Sequence, residues 1–280
     1  MDTLSGLVAV VTGAGSGIGA ALAAEFARQG CRVALADISG ASLEAQCERL
    51  RGQGGDVIGI EADVADQGSV ESLAEAVQSQ LGAVHIVCNN AGVLATGPLL
   101  STADEVWRKV MDVNFWGVVN GIRAFVPRLI RQGQGGYILN TASLAGLQGV
   151  GGLGVYCASK FAVVGLSESL RKELKPFGIG VGVLCPMVVD TRIADRAGEA
   201  SGEQSGKVLD HVPQLKLGTV KTPEYVAAQA AKAILAGQFY IFTHDEERGI
   251  LRERAERFES ACDWLDATNS NAPNESVVEV

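Results

Sequence analysis

Tyr156 and Lys160, in the stretch "YCASK", stand four residues apart. On a helix, positions i and i+4 share one face. An ammonium held there stabilises the phenolate and draws the tyrosine pKa down from the ~10 of the free side chain toward working pH. A tyrosine so placed is a proton shuttle, although a bare Tyr–Lys pair is also common on helix surfaces. Upstream, "GYILNTAS" ends in Ser143 where an apolar, strand-like run stops, so its hydroxyl would meet a ligand lying over the carboxyl edge of a sheet. "VCNNAG" (Val87–Gly92) ends another such run, and "DVNFWG" (Asp112–Gly117) sets Asn114 into a helical stretch it is poorly suited to continue.

A second group of residues points to an anion. In "VAVVTGAGSGIGAALAAEFARQG", from Val8 to Gly30, a buried strand runs through a glycine-rich turn into a helix. Gly13 permits a tight exit from the strand, Gly17 lets the backbone approach a pyrophosphate, and Gly19 allows close helix–strand packing, while the helix N-terminus offers unpaired N–H donors. Such a turn alone can be purely structural. The next strand, "CRVALADIS", ends in Asp37, whose carboxylate would accept from ribose hydroxyls and repel a 2′-phosphate, so the pair predicts NAD over NADP. Asp37 has a second reading as the cap of the following helix, a task Ser39 can also perform.

These side chains need a frame, and the apolar patterning supplies one. Strand-length runs recur at Leu7–Thr12, Arg32–Ala36, Val57–Glu61, Val84–Cys88, Gly136–Asn140, Gly180–Leu184 and Phe239–Phe242. Helical periodicity fills the intervals: Gly17–Gln29, Ala41–Arg51, Ser69–Gln80, Ala103–Arg131 with a break near Phe115, Tyr156–Lys175 and Pro223–Ala236. The alternation predicts an α/β fold, one doubly wound Rossmann-type domain whose seven-stranded parallel sheet carries helices on both faces. Residues 187–222, rich in charge, Gly and Ser, follow a strand end and read as a substrate lid. Residues 245–265 read as a charged C-terminal helix with Ile250, Leu251, Ala255, Phe258, Cys262 and Leu265 near one stripe, docked on the domain or on a partner subunit. The domain is thus expected over 1–267, followed by a flexible tail, 268–280.

Composition narrows the function classes. A net charge of −9 argues against a nucleic-acid partner. The six cysteines form no CxxC pair and sit mostly in apolar runs, which fits buried free thiols in a reducing compartment and no metal site. No apolar run reaches the ~18 residues of a membrane span, and the start carries Asp2 without a basic region, so no signal peptide or membrane insertion is expected and the cytoplasm is the expected location.

Taken jointly, TGAGSGIG (Thr12–Gly19), Asp37, Asp63-Val64, NNAG (Asn89–Gly92), Asn114, Ser143, Tyr156 with Lys160, and Pro186 followed by Thr191 resemble the short-chain dehydrogenase/reductase family in order and spacing. The resemblance spans roughly residues 5 to 245 and implies a catalytic set. Tyr156 would be the general acid/base, with Lys160 lowering its pKa and binding the nicotinamide ribose. Ser143 would hold the substrate oxygen and Asn114 would support a water leading from Lys160 to solvent. It further implies that Asp63 and Val64 contact adenine, that Asn90 and Gly92 flank a cofactor ribose, and that Val188 and Thr191 fix the carboxamide. Thr12, Gly13, Ser16, Gly17, Ile18, Gly19, Ile38, Ala91 and Pro186 complete the implied NAD site. One departure stands out: the family usually has glycine after the proline that closes the sixth strand, and here "CPMVVDT" has Met187.

By family position the substrate would face Leu94, Leu144, Ala145, Gln148, Val150, Leu153, Val155, Met187 and Ile193. Almost none is charged, which points to a hydrophobic secondary alcohol or ketone of aromatic, terpenoid or steroid type. A redox-neutral enzyme on the same fold (epimerase or dehydratase) and a non-catalytic NAD-binding sensor remain as alternatives. The resemblance also implies a homodimer or homotetramer formed through Phe115–Arg131 and Tyr156–Lys175.

Overall fold

The computed structural model describes residues 3–193 and 218–269. Seven strands form one sheet: β1 (Val8–Thr12), β2 (Arg32–Asp37), β3 (Val57–Glu61), β4 (Ile86–Asn89), β5 (Gly136–Thr141), β6 (Ile179–Leu184) and β7 (Tyr240–Ile241). Their spatial order is β3-β2-β1-β4-β5-β6-β7, and every pairing is parallel. The helices are α1 (Gly17–Arg28), α2 (Gly40–Gly52), α3 (Gln67–Leu81), α4 (Asp104–Met111), α5 (Gly117–Gln132), α6 (Gly154–Leu174), α7 (Pro223–Leu235) and α8 (Glu247–Asn269).

Central strands such as β1 are buried at every position, whereas the edge strand β3 alternates, because only one of its faces is fully covered. Two apolar layers sandwich the sheet. One is built around Val10, Val87, Ile138 and the α5 residues Phe125 and Leu129. The other surrounds Val11, Leu35, Ile86 and Leu139, and takes in Leu22 and Phe26 of α1 and Ile234 of α7. Burying Phe26 and Phe125 completely contributes about 2–3 kcal/mol each. The strand order reverses direction between β1 and β4, and at such a switch point the loops leaving the two strands diverge and open a crevice at their carboxyl ends.

The expected break near Phe115 is a widening instead. Residues Asp112–Trp116 form a π-helical turn that joins α4 to α5 without interrupting the helical path. The extra residue turns Asn114 inward, where it is fully buried. The last strand is shorter than the expected Phe239–Phe242, because only Tyr240 and Ile241 find partners on β6.

The connection after β6 is described as far as Ile193 and resumes at Gly218. Most of the expected lid, residues 194–217, and the tail from 270 onward lie outside the described residues. What is described on either side is joined by a parallel bridge between Val189 and Lys221. The chain divides into two compact units, 1–244 and 245–280. The second consists, in its described part, of α8, whose side chains from Ala255 to Thr268 are all exposed, Cys262 among them. The other five cysteines are buried and all six are free thiols. Among the described residues no helix is long and apolar enough to cross a membrane.

Candidate active site

A single cavity of about 440 Å³ lies over the carboxyl ends of the strands at the crevice. At one end it is lined by Gly13, Ser16, Gly17, Ile18, Asp37 and Ile38, and further along by Asp63, Val64, Asn90, Ala91 and Gly92. At the other it is lined by Ser143, Tyr156, Lys160, Pro186, Met187, Thr191 and Ile193. The glycine turn and the Ser–Tyr–Lys group, far apart in sequence, thus share one concavity.

The glycine end has the shape an anion-bearing nucleotide needs. Gly17 adopts φ +55°, and a Cβ placed there would come within 3.2 Å of Thr191 Cγ2. A Cβ on Gly19 would overlap the Gly13 carbonyl oxygen, so a side chain at that position is incompatible with the way α1 leaves β1. Ser16, at the N-cap of α1, makes no side-chain capping bond, so the first-turn N–H groups are not spent on it.

Asp37 is not a helix cap. Ser39 caps α2 by accepting from the Ser42 N–H at 3.4 Å. The Asp37 carboxylate instead accepts from the Gly15 N–H at 2.8 Å and the Ser39 N–H at 3.0 Å. Arg28 is engaged by Glu25, and Arg32 by Asp56 and the Leu81 carbonyl. Both guanidinium groups are therefore committed away from the carboxylate.

The middle of the cavity is fastened by side chains bonding to main chain. Thr12 Oγ1 accepts from the Asn90 and Ala91 N–H groups at 2.9 and 3.1 Å, and Asn90 Nδ2 donates back to the Thr12 carbonyl at 3.0 Å. This ties the ends of β1 and β4 together across the switch point. Asn114 accepts from the Val93 N–H at 2.7 Å and donates to the Val93 carbonyl at 2.9 Å and to Ser159 Oγ at 3.0 Å. It thereby holds the turn after β4 against α6. Gly92 faces both Asn114 and Lys160: a Cβ there would sit 3.2 Å from Asn114 Oδ1 and 3.5 Å from Lys160 Nζ, filling the space between them.

Lys160 is buried, and its ammonium donates to the Thr141 carbonyl at 2.8 Å. Burial draws its pKa down to about 8. Its Nζ lies 5.7 Å from the centre of the Tyr156 ring. Burial pushes the Tyr156 phenol up to about 12, and a hydrogen bond with Ser143 pulls it partly back. The expected net lowering of the phenol pKa is not found: removing the phenolate from water costs more than the Ser143 hydrogen bond returns. Ser143 Oγ also accepts from the Ala145 N–H at 3.1 Å and donates to the Pro186 carbonyl at 3.3 Å, which fixes the hydroxyl at the head of β5.

Some expected site residues do not line the cavity. Thr12, Gly19, Asn114 and Val188 stand behind it, while Lys109, Val113, Val189 and Arg192, not anticipated from sequence, are part of its wall. Of the expected substrate wall only Leu94, Met187 and Ile193 line it; Leu144, Ala145, Gln148, Val150, Leu153 and Val155 do not. Val155 packs with Ala95 and Val110 in a small separate cluster, on the side of α6 that faces α4. No sequence signal distinguishes Val113 or Val189 from core residues, because the fold alone turns them to the crevice. Among the described residues no group of three His, Cys, Asp or Glu side chains is placed to hold a metal ion.

Comparison with known proteins shows the family of the chain. The family model described as short chain dehydrogenase matches residues 7–202. The 1-deoxy-11-beta-hydroxypentalenate dehydrogenase of Streptomyces exfoliatus is 38% identical over 248 residues, covering 88% of this chain and 86% of that protein. Among solved structures, a short chain dehydrogenase/reductase from Burkholderia phymatum in complex with NAD is 36% identical, covers both chains fully and superposes with a TM-score of 0.83. The apo form of LigD from Sphingobium sp. strain SYK-6 is 29% identical, with 97% of this chain and 100% of that one covered and a TM-score of 0.78. On the match of the family model over residues 7–202 and the likeness of these relatives, the chain belongs to the short chain dehydrogenases.

Proposed function

We propose that this protein is an NAD-dependent oxidoreductase that interconverts a hydrophobic secondary alcohol and its ketone, using Tyr156, Lys160, Ser143 and Asn114. The observation that carries the reading is the shared cavity: a nucleotide-shaped end with Asp37 and an acid/base end with Tyr156 open onto one space. Bound NAD supplies a nicotinamide ring that takes up or gives back hydride. The protein supplies proton handling and placement. The Tyr156 oxygen exchanges the hydroxyl proton of the substrate, and Ser143 orients the substrate oxygen toward it. With its pKa raised, the phenol stands in the protonated form that ketone reduction requires. For alcohol oxidation it must first be relieved of its proton, with Lys160 the neighbouring cation that favours the phenolate. Lys160 spends one N–H on Thr141 and keeps two donors for a cofactor ribose. Asn114 acts from behind, holding the turn at Val93 and Ser159 of α6 in place.

NAD is favoured over NADP because Asp37 points a carboxylate where a 2′-phosphate would lie and the nearby Arg28 and Arg32 are committed elsewhere. The complex of the Burkholderia phymatum protein with NAD supports the same cofactor. An apolar substrate fits Val93, Leu94, Val113, Met187 and Ile193 on the cavity wall. The Streptomyces exfoliatus relative, a dehydrogenase of a hydroxypentalenate, is in keeping with a hydroxyl-bearing carbocyclic substrate. We expect the chain to work as a homodimer or homotetramer in the cytoplasm, with exposed Trp116 and Ile130 available to an α5 contact.

The test follows NADH absorbance while the protein and NAD meet a panel of hydrophobic secondary alcohols, beside Tyr156→Phe. Turnover by the wild type and at least a thousandfold loss in the variant, with NADH binding kept, is the expected outcome. Undiminished turnover by Tyr156→Phe removes the tyrosine from the reaction.

A further inference from the structure

In the stretch that leaves β6, Pro186 to Asp190, three residues (Pro186, Met187 and Val189) wall the cavity that Tyr156 and Ser143 also line, yet the stretch is irregular backbone whose polar groups must find partners elsewhere. Those partners can be followed one by one. The Pro186 carbonyl accepts from the Leu144 N–H at 3.0 Å and from Ser143 Oγ at 3.3 Å. The Met187 N–H donates to His244 Nδ1 at 3.4 Å. The Val188 carbonyl accepts from the Lys221 N–H at 3.1 Å and pairs with His244 Nε2 at 3.0 Å. The Asp190 N–H donates to the Lys221 carbonyl at 2.9 Å. Apart from Ser143, His244 is the one side chain in this series, and it takes two consecutive residues at once.

The contacts assign its tautomer. Nδ1 receives the Met187 N–H and sits 2.8 Å from Thr243 Oγ1, so it is the bare acceptor; Nε2 faces a carbonyl and carries the hydrogen. The ring is 6% exposed, so these bonds are shielded from water. Topology explains how it arrives there. The Cys185 N–H donates to the Ile241 carbonyl at 2.9 Å, so β7 keeps pace with β6 to its end and the chain leaving β7 passes directly beside the chain leaving β6. A two-residue strand suffices to deliver the imidazole.

We infer that His244 is a positioning residue that sets the seat of Met187 and Val188 and, through them, of the nicotinamide end of the cofactor. The inference rests on the proposed NAD site. It also gives Met187 a reason to stand where relatives usually have glycine: with the main chain clamped by Ser143 on one side and His244 on the other, a side chain at 187 is held against the cavity. His244 touches neither end of the cavity directly and is not among its lining residues.

The experiment measures the dissociation constants of NADH and of ADP-ribose by titration calorimetry for the wild type, His244→Ala, His244→Gln and His244→Asn. ADP-ribose carries the adenosine, pyrophosphate and second ribose but no nicotinamide, so it ignores the seat of residues 187–188. Loss of two buried hydrogen bonds in His244→Ala should weaken NADH about ten- to thirtyfold and leave ADP-ribose within about twofold. His244→Asn offers an acceptor near the Nδ1 position and His244→Gln a donor near Nε2, so each should recover part of the loss. Equal weakening of both ligands, or no change in either, overturns the inference. If His244→Ala does not fold, the Gln and Asn variants decide alone: a wild-type ratio of NADH to ADP-ribose affinity in both overturns it. A wild type that binds neither ligand overturns the NAD reading itself, and the inference with it.

Discussion

Asp37→Asn is the perturbation that most directly interrogates the nucleotide end of the cavity. An ionised carboxylate has about four acceptor sites. Two are used by the Gly15 and Ser39 N–H groups at 2.8 and 3.0 Å, which leaves two for the paired hydroxyls of a ribose. Charge-assisted bonds contribute about 1.5–3 kcal/mol each, and the neutral amide keeps roughly half of that, so kcat/KM for NAD should fall about 10- to 100-fold. The opposite effect acts on NADP. A unit charge about 5 Å from the carboxylate is repelled by about 3 kcal/mol at an effective dielectric near 20, and because Asp37 is only half-buried, salt reduces this to about half. The NAD to NADP preference should therefore shift by about 10²–10³. Initial rates with both cofactors at a fixed saturating alcohol give the ratio, and thermal unfolding of the same samples reports whether the β1–α1 turn survives loss of one acceptor. A ratio that moves less than threefold in a protein with unchanged melting refutes the role given to Asp37. So does an equal loss with both cofactors, which would make the carboxylate a prop for the Gly15 turn alone.

Lys160→Met tests the burial of the ammonium. Its pKa is lowered from 10.5 to about 8, so the folded chain binds fewer protons than the unfolded chain between those values and stability rises with pH across the window. The full effect is about 3 kcal/mol; urea midpoints for both proteins from pH 7 to 10 should converge as the wild type recovers it, and a constant gap between them excludes the mechanism. Buried thiols such as Cys31, held up to about 11, erode stability above pH 9 in both proteins, which is why the difference is the quantity to follow. Gly121→Ala should destabilise by about 3 kcal/mol because its Cβ would overlap Asn89 Oδ1 in the packed α5–β4 contact. Gly165→Ala, on an exposed face of α6 with nothing within 4 Å, should stabilise by about 0.5–1 kcal/mol, and equal effects of the two substitutions would contradict the packing described.

Much of this architecture was legible in the chain because it is locally encoded. Buried parallel strands are mostly apolar, so Val8–Val11 of β1, Val33–Ala36 of β2 and Tyr137–Leu139 of β5 appear as apolar runs, and the glycine turn and the Tyr156–Lys160 spacing are each contained in one short local stretch. What failed to show depends on distant partners. The π turn at Asp112–Trp116 is tied to the bonds of Asn114 with Val93 and Ser159, none of which is near it in sequence. The Tyr156 pKa depends on how much water the finished cavity removes, and spacing along α6 says nothing about that. Residues 144–155, expected along the substrate wall, do not line the cavity, since family position fixes a residue's place in the chain but not which way it turns; Val155 packs toward α4. His244 carries no motif at all, and only the alignment of β7 with β6 brings it to Met187.

The seam between β1 and β4 has a consequence for how the protein reaches its folded form. Ala9 pairs with Ile86, and Thr12 with Asn90, so the two halves of the sheet meet only after two intervening strands and three helices have been laid down. Contacts of such sequence separation close slowly, because chain entropy is lost well before they repay it. The crevice is thus a late product of folding, absent from any collapsed species in which only β1, β2 and β3 have associated. A nucleotide that spans the seam recognises the finished sheet and no earlier form, so it should slow unfolding while leaving the refolding rate nearly unchanged. Protection of that kind would make cofactor supply a determinant of how long the protein persists as well as of how fast it works.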